Sequence, residues 1–271
     1  MNTNYSDSKF RFNHASRVIT ESGFASHSHE GFEILFFKKC NASYSIDGKE
    51  YALKRHDLII TRPFCIHAMN VEIGSKYDRY NIIFREDEIL PSIYEKLPKG
   101  VNVINFSGNS AVIGLFEKLD FYFSSLDKDE FSEILRGVIN EILLNVIIEA
   151  KNDTAITREI ANPTMQRAVE FIDKNLLTVS GIEEICNELY ITKSHLHHLF
   201  SEHMNTSPKK YITTKRLALA QREIISGGKP TDVYLRCGFS DYSSFYRAYC
   251  KYFGRSPSEK ATAQQGAKLK L

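Results

Sequence analysis

The chain has 271 residues, with 35 Lys and Arg against 33 Asp and Glu, and 42% of its residues are hydrophobic. This length is enough for two domains that each bury a core, and the composition is that of a globular protein. Neither a membrane-length apolar run nor an apolar signal core is present, which argues against a membrane or secreted protein, so we expect cytoplasmic residence. Five cysteines without CxxC spacing indicate neither a disulfide framework nor a thiolate zinc site.

The stretch from about residue 25 to residue 84 has the pattern of β-structure. Short runs rich in β-branched and aromatic residues alternate with turn sequences such as Asp47-Gly48. The runs lie at residues 32–38, 43–53, 57–63, 68–73 and 80–84. Regular short strands of this kind predict a sandwich or a barrel, whereas residues 1–20 are compatible with either an arm or a first strand.

Four side chains in this region have the types and the spacing of a metal or ligand site. His27 and His29 alternate onto one face of a strand, and Glu33 keeps the same parity if that strand continues. His67 follows about forty residues later, where a neighbouring strand could bring it inside the same barrel. The set could hold a divalent metal ion, or it could line an effector pocket without metal.

Helices are predicted after the β-region. Apolar residues recur at helical spacing over residues 111–125 and 130–150, and periodicity alone is consistent with helices that merely cover the barrel. The polar stretch 151–164 contains the helix-breaking Pro163 and reads as a linker. A further helix is predicted over residues 165–176.

One structural unit then occurs twice, at residues 182–208 and 231–257. Each copy predicts a short amphipathic helix, a tight break, a polar N-cap and a second helix, with Thr192 and Ser240 as the N-cap residues. An amphipathic helix over residues 209–228 joins the copies. A single helix-turn-helix match is weak, but two copies about fifty residues apart predict a double helix-turn-helix domain.

The second helix of each unit leaves a polar face that can reach base edges and phosphates. The two faces carry Lys193, Ser194, His197 and His198 in the first unit, and Tyr242, Ser243, Tyr246 and Arg247 in the second. Residues 161–271 hold 16 Lys and Arg against 10 Asp and Glu, whereas residues 1–160 hold 19 against 23. The positive half of the chain is therefore the half with the repeated unit, which favours attraction to phosphate.

The repeated unit is similar to the DNA-binding domain of AraC/XylS-type bacterial transcription regulators. The likeness covers about residues 163–260 and depends on YITTKRLALAQ, GFSDYSSFYRAYCKYFGRSP and the two Ser-Pro closures. The chain departs from the family pattern at Cys186 and Tyr234, where a small residue is usual, and at Tyr190, where the turn commonly has Gly. Lys260 replaces a usual aromatic residue. These departures bear on how the units pack.

The set His27, His29, Glu33 and His67 resembles the metal ligands of the cupin jelly roll, although the glycines of the cupin motifs are missing. The two resemblances together imply an α+β protein of two domains. Residues 1–157 would form a cupin-like jelly-roll barrel with flanking helices that senses an effector. Residues 163–262 would form an all-α domain with two helix-turn-helix units joined by a linker helix.

This organisation implies a sequence-specific transcriptional regulator controlled by a small-molecule effector, for which a sugar or related metabolite is the family expectation. The implied partners are double-stranded operator DNA, RNA polymerase and a second copy of the chain, which would pair through the helices of residues 111–150. The resemblance implies no catalytic residue, no cofactor, no bound metal and no membrane partner. The alternative is a metal-dependent cupin enzyme with an accessory helical domain, whose metal the same four side chains would hold.

Overall fold

The computed structural model describes residues 2–20, 24–160 and 162–259. The N-terminal part consists of two antiparallel sheets, with strand orders β1-β2-β9-β4-β7-β10 and β3-β8-β5-β6. The strands are β1 (Asn2–Ser6), β2 (Phe10–Val18), β3 (Phe24–His27), β4 (Phe32–Lys39), β5 (Ala42–Ile46), β6 (Lys49–Ala52), β7 (Asp57–Thr61), β8 (His67–Val71), β9 (Lys76–Phe84) and β10 (Val103–Asn105). The predicted β-barrel or sandwich is confirmed, and the start of the chain, over residues 2–18, contributes its first two strands rather than an arm.

Strand β4 lies between two apolar layers, and its alternation determines what each layer contains. Ile34 and Phe36 pack on the outer side of the six-stranded sheet, in a cluster with residues of the following helices. Leu35 and Phe37 point the other way, into a cluster shared by the two sheets. Since successive side chains of a strand alternate, Glu33 points into the space between the sheets as well.

A short helix, α1 (Pro91–Tyr94), precedes the two long helices of this domain, α2 (Ser110–Ser125) and α3 (Lys128–Glu149). Asn109 caps α2, and Asp127 forms a capping box with Glu130 at the start of α3. Both helices bury their apolar stripes on the six-stranded sheet, so the predictions for residues 111–125 and 130–150 are correct to within two residues at each end.

The C-terminal part is helical and contains the predicted repeat. Its helices are α4 (Pro163–Lys174), α5 (Ile182–Leu189), α6 (Lys193–Met204), α7 (Pro208–Ile225), α8 (Pro230–Arg236) and α9 (Tyr242–Phe253). The first unit is α5 and α6, the second is α8 and α9, and α7 joins them. Both of the second helices carry a buried apolar stripe, as the periodicity predicts. Lys260 and the predicted domain end at residue 262 lie outside the described residues.

The predicted N-cap is correct in the first unit and wrong in the second. The Thr192 side chain accepts a hydrogen bond from the backbone N–H of His195. In the second unit Asp241, not Ser240, is the N-cap and accepts from the backbone N–H of Ser244. Asp241 lies three residues after the left-handed Gly238, whereas Thr192 lies two residues after the left-handed Tyr190, so the N-cap comes one residue later in the second unit.

The structure accommodates the departures from the family pattern in different ways. Tyr190 adopts the left-handed conformation, with φ of 55°, and its side chain is 93% exposed. Gly238 occupies the corresponding position of the second unit with φ of 81°. Tyr234 is half-buried, with its ring centroid 5.6 Å from that of Tyr242, so neighbouring aromatic rings accommodate it. Cys186 is a buried core residue.

The helical domain docks on the outer face of the four-stranded sheet. Asn70 of β8 accepts a hydrogen bond from Asn205 at 2.6 Å, and Glu50 of β6 pairs with His203 at 2.7 Å. The stretch predicted to be a plain linker also joins the sheets, because Ile156 and Ile160 form backbone bridges to Ile104 and Glu50. The helices α2 and α3, the six-stranded sheet, the four-stranded sheet and the C-terminal helical domain are thus stacked in that order.

Candidate functional site

Three histidines meet between the two sheets. The potential ligand atoms of His27, His29 and His67 all lie within 4.8 Å of one another. His27 and His67 are paired across β3 and β8, and their Nε2 atoms are 3.0 Å apart. Glu33 completes the set, because its Oε2 lies 3.3 Å from Nε2 of His67 and 3.7 Å from Nε2 of His29. The four residues singled out in the sequence therefore form one cluster.

The route by which they converge differs from the predicted one. The sequence pattern places His27 and His29 on one strand, and Glu33 with them if that strand continues, but β3 ends at His27 and β4 begins at Phe32 in the opposite sheet. The intervening turn takes the chain from one sheet to the other. Glu33 therefore faces the histidines across the sandwich instead of lying beside them on one strand.

Hydrogen bonds to backbone carbonyls orient two of the imidazole rings. Nδ1 of His29 lies 2.9 Å from the carbonyl oxygen of Gly31, and Nδ1 of His67 lies 3.0 Å from that of Cys65. Since a carbonyl can only accept, Nδ1 is the donor in both rings, and a neutral ring then has its lone pair on Nε2, towards the cluster. Nε2 of His29 is buried and has no hydrogen-bond partner among the described residues.

The charge state of the cluster suits it to receive a ligand. Burial, followed by the neighbouring His27, lowers the pKa of His67 to about 3, so this ring is neutral at pH 7. Burial would raise the pKa of Glu33, but its interactions with His29 and the other imidazoles outweigh burial and hold that pKa well below its ordinary value. The cluster therefore combines an ionised carboxylate with a neutral His67 ring.

Three further polar side chains, which the sequence did not single out, hold the carboxylate in place. The Tyr44 hydroxyl donates to Glu33 at 3.1 Å and lies 3.1 Å from the Thr61 hydroxyl. The Asn81 amide donates to the other carboxylate oxygen. A pairing of β5 with β8 and of β4 with β9 brings these groups together, so no short-range pattern could have revealed them.

The donor set fits a divalent transition metal ion. Neutral imidazole and carboxylate are the ligands that Zn²⁺, Ni²⁺ and Fe²⁺ accept, and ligating imidazoles are commonly oriented by a carbonyl at the other ring nitrogen. The same groups can equally bind a small polar molecule through its hydroxyl groups. The geometry thus defines a buried polar cluster whose side chains suit two classes of occupant.

The predicted DNA-reading residues lie on the recognition helices α6 and α9. All of them are exposed except Tyr242, which is half-buried against Tyr234. Lys193 is paired with Glu183, and His198 lies 3.2 Å from Glu202. Arg247 donates only to the Ser244 hydroxyl, at 3.3 Å, among the contacts of the described chain. Its guanidinium therefore keeps most of its donors available.

These features define a class of protein: a β-sandwich that buries a polar cluster between its sheets and carries a double helix-turn-helix domain on one of them. Among the described residues, no helix has the length and apolar character needed to cross a lipid bilayer.

Comparison with known families gives the same result. The model of the AraC-like ligand binding domain matches residues 16–155, more than half of the chain, and a helix-turn-helix domain model matches residues 185–262. The chain belongs to the AraC/XylS family, as the sequence motifs predict.

Several relatives share part of the chain. It is 33% identical over 181 residues to the probable transcriptional regulator LumQ of Photobacterium leiognathi. The aligned region covers 57% of this chain and 73% of LumQ. Over 102 residues it is 32% identical to the lactose operon transcription activator of Staphylococcus xylosus, but the match spans only 37% of each protein. The AraC-like transcriptional activator CuxR, a solved structure, aligns at 15% identity with a TM-score of 0.43, covering 87% of this chain and 84% of CuxR.

Proposed function

We propose that this chain is a sequence-specific transcriptional regulator whose DNA affinity depends on an effector bound between the two sheets. The observation that carries the proposal is the pair of helix-turn-helix units with exposed polar faces in the positively charged half of the chain. The proposal keeps the division into a sensor domain, residues 1–157, and a DNA-binding domain, residues 163–262. It includes cytoplasmic residence, since the DNA that such a protein reads lies there.

In this proposal α6 and α9 enter successive major grooves and α7 sets the distance between them. Ser194, His197 and His198 would read bases in the first unit. Arg247, with free donors in a planar fork, would pair with O6 and N7 of guanine in the second. The lactose operon activator, and a similar regulator of a raffinose operon, support action at promoters and a sugar-type effector. Action at promoters would bring the chain into contact with RNA polymerase.

DNA binding is tested by fluorescence anisotropy with the full chain. One duplex carries the region upstream of its own gene, and a scrambled duplex of equal length and composition is the control. We expect tighter binding to the upstream duplex, and affinity for both should fall steeply as salt rises because phosphate contacts release counterions. A folded chain that binds neither duplex at low salt would show that the proposal is wrong.

The effector site is proposed to be His27, His29, Glu33 and His67. His29→Ala or His67→Ala should abolish the response of DNA binding to the effector while leaving effector-free DNA binding near that of the parent chain. A panel of sugars and related metabolites, screened by thermal shift, supplies the ligand. Loss of DNA binding with retained ligand binding in a folded variant would place the pocket elsewhere.

A second candidate occupant is a divalent metal ion, favoured by the buried Nε2 of His29, which makes no hydrogen bond within the described part of the chain. Calorimetric titration with Zn²⁺ and Ni²⁺ should give one site per chain that His29→Ala and His67→Ala both remove. If the metal binding of the parent chain persisted in both variants, this cluster would be excluded as the metal site. Metal-dependent turnover of a substrate would favour the alternative of a cupin enzyme over a regulator without catalytic activity.

We further propose that the chain forms a homodimer through α2 and α3. After these helices cover the six-stranded sheet, Phe121, Leu144 and Ile148 remain exposed, at 65%, 45% and 62%. Dimerisation would allow two chains to read repeated half-sites. Sedimentation at tens of micromolar should show a dimer that Ile148→Glu dissociates and the equivalent change at exposed Ile73 does not. A monomer with and without DNA would contradict the proposal.

A further inference from the structure

Residues 27–30, here called the relay segment, alternate between the binding site and the DNA-binding domain. His27 and His29 belong to the histidine cluster. The residues between and after them, Ser28 and Glu30, contact the second helix-turn-helix unit instead, through Tyr252 and Arg255. One short stretch of chain therefore touches both the proposed effector and the domain that it would control.

Ser28 is held by the end of the second recognition helix. Its backbone N–H donates to the Tyr252 hydroxyl at 2.7 Å, and the Ser28 and Tyr252 hydroxyls lie 2.8 Å apart. Ser28 is 2% exposed, so these bonds form away from water, where an unpaired backbone N–H would be costly. Ser28 cannot move without either carrying Tyr252 along or losing these bonds.

Glu30 makes a second polar connection to the same unit. Its carboxylate pairs with Arg255, which is buried and follows α9, and accepts from the Gln221 amide of α7 at 2.8 Å. Gln221 in turn accepts from the Tyr249 hydroxyl of α9. Because Arg255 is buried, loss of the contact with Glu30 would leave its charge uncompensated.

The first unit is attached to the sensor differently. Ile66, the residue before His67, is buried in the apolar cluster of α4, α5 and α6. His67 therefore follows an attachment point of the first unit, whereas His27 and His29 flank an attachment point of the second. The Nε2 atoms of His27 and His67 are adjacent across β3 and β8, so a ligand bound to both would contact the segments that attach both units.

We propose that the relay segment couples occupancy of the histidine cluster to the position of the second helix-turn-helix unit relative to the first. The inference rests on the proposed sensor function and adds which unit moves and which residues transmit the change. A ligand that draws His27 and His29 towards His67 shifts Ser28 and Glu30, and α9 follows through Tyr252 and Arg255. Because coupling is reciprocal, release of α9 must also loosen the cluster.

Backbone hydrogen exchange of the full chain without DNA tests this reciprocity. Tyr252→Phe removes the hydroxyl that Ser28 contacts, and Tyr190→Phe makes the same change at an exposed tyrosine of the first unit. His27→Gln disturbs the cluster, with exposed His195→Gln as its control. Loss of one hydrogen bond should raise exchange about fivefold in the segments that it stabilises.

We expect Tyr252→Phe to raise exchange in β8, on the far side of the cluster, and His27→Gln to raise it over residues 249–255. Neither control should change those segments. An effect of Tyr252→Phe confined to residues 24–31 would overturn the proposal, as would unchanged exchange over 249–255 in His27→Gln. If His27→Gln unfolds globally, the Tyr252→Phe comparison decides alone. Failure of the parent chain to bind DNA would instead defeat the proposed function and leave these results unaffected.

Discussion

The two helix-turn-helix units have the same plan but different attachments. The core of the first unit is continuous with α4 and with Ile66 of the sensor, so the unit and the sensor share one apolar cluster. The buried cluster of the second unit draws only on residues from α7 to α9 within the described chain, and it is rich in aromatic rings. Its main links to the sensor are the polar bonds of Ser28 and Glu30. The second unit can therefore be released without opening a shared hydrophobic core.

The largest expected difference between the two units is how far the loss of a buried ring in each core spreads through the structure. Phe245→Ala and Phe200→Ala each remove a fully buried ring and should each lower the free energy of unfolding by about 3–5 kcal/mol. Hydrogen exchange should show opening of α8 and α9 alone for Phe245→Ala, but opening that reaches β8 for Phe200→Ala. If Phe245→Ala also opened α5 and α6, the two cores would be one cooperative unit and the comparison would fail.

Gly238→Ala should destabilise the second unit by about 2 kcal/mol or more. With φ of 81° a side chain is strained, and an added Cβ would lie 2.8 Å from Nε of Arg216 and 2.9 Å from the carbonyl oxygen of Leu177. Gly254→Ala is the matched control, because φ is 70° there but nothing lies within 4 Å. Denaturant unfolding should show the smaller loss for Gly254→Ala, and equal losses would mean that the turn relaxes freely.

The recognition helices should differ in what they contribute to DNA binding. Arg247→Ala should weaken binding to the operator by about 1–3 kcal/mol and binding to scrambled DNA far less, because a bidentate contact to guanine is sequence-specific. Lys193→Ala should weaken both alike, and modestly, since Lys193 is already paired with Glu183. Anisotropy titrations of each variant with both duplexes measure these losses of affinity. Equal losses for Arg247→Ala would assign Arg247 to the phosphate backbone.

The smallest effect is expected at Tyr190, the counterpart of Gly238. Tyr190→Gly should stabilise the first unit by up to about 1 kcal/mol, because the left-handed conformation costs a non-glycine residue more than glycine loses in the unfolded chain. Tyr190→Ala retains the backbone cost and should bring no gain. A thermal midpoint of Tyr190→Gly at or below that of the parent chain would show that the exposed ring itself stabilises the turn.

The sequence determines most of the helical domain because its signals are local. Apolar spacing, a polar cap and a Ser-Pro closure lie within a few residues of the helix that they specify, so α5, α6, α7 and α9 are where the pattern predicts them. Even the wrong cap at Ser240 has a local explanation, since counting four residues back from the buried Phe245 gives Asp241. The types of side chain in the binding site are predictable for the same reason.

Only the tertiary structure decides how those side chains meet. The period of a strand says which side chains share a face, but it does not say that the chain leaves β3 after His27 and returns in the opposite sheet with Glu33. The contact of Ser28 with Tyr252 spans 224 residues, and no pattern of a few residues can encode such a pairing. Local periodicity selects helices, strands and their buried faces, whereas docking the helical domain on the four-stranded sheet depends on the shapes and polar groups that both folded domains present together.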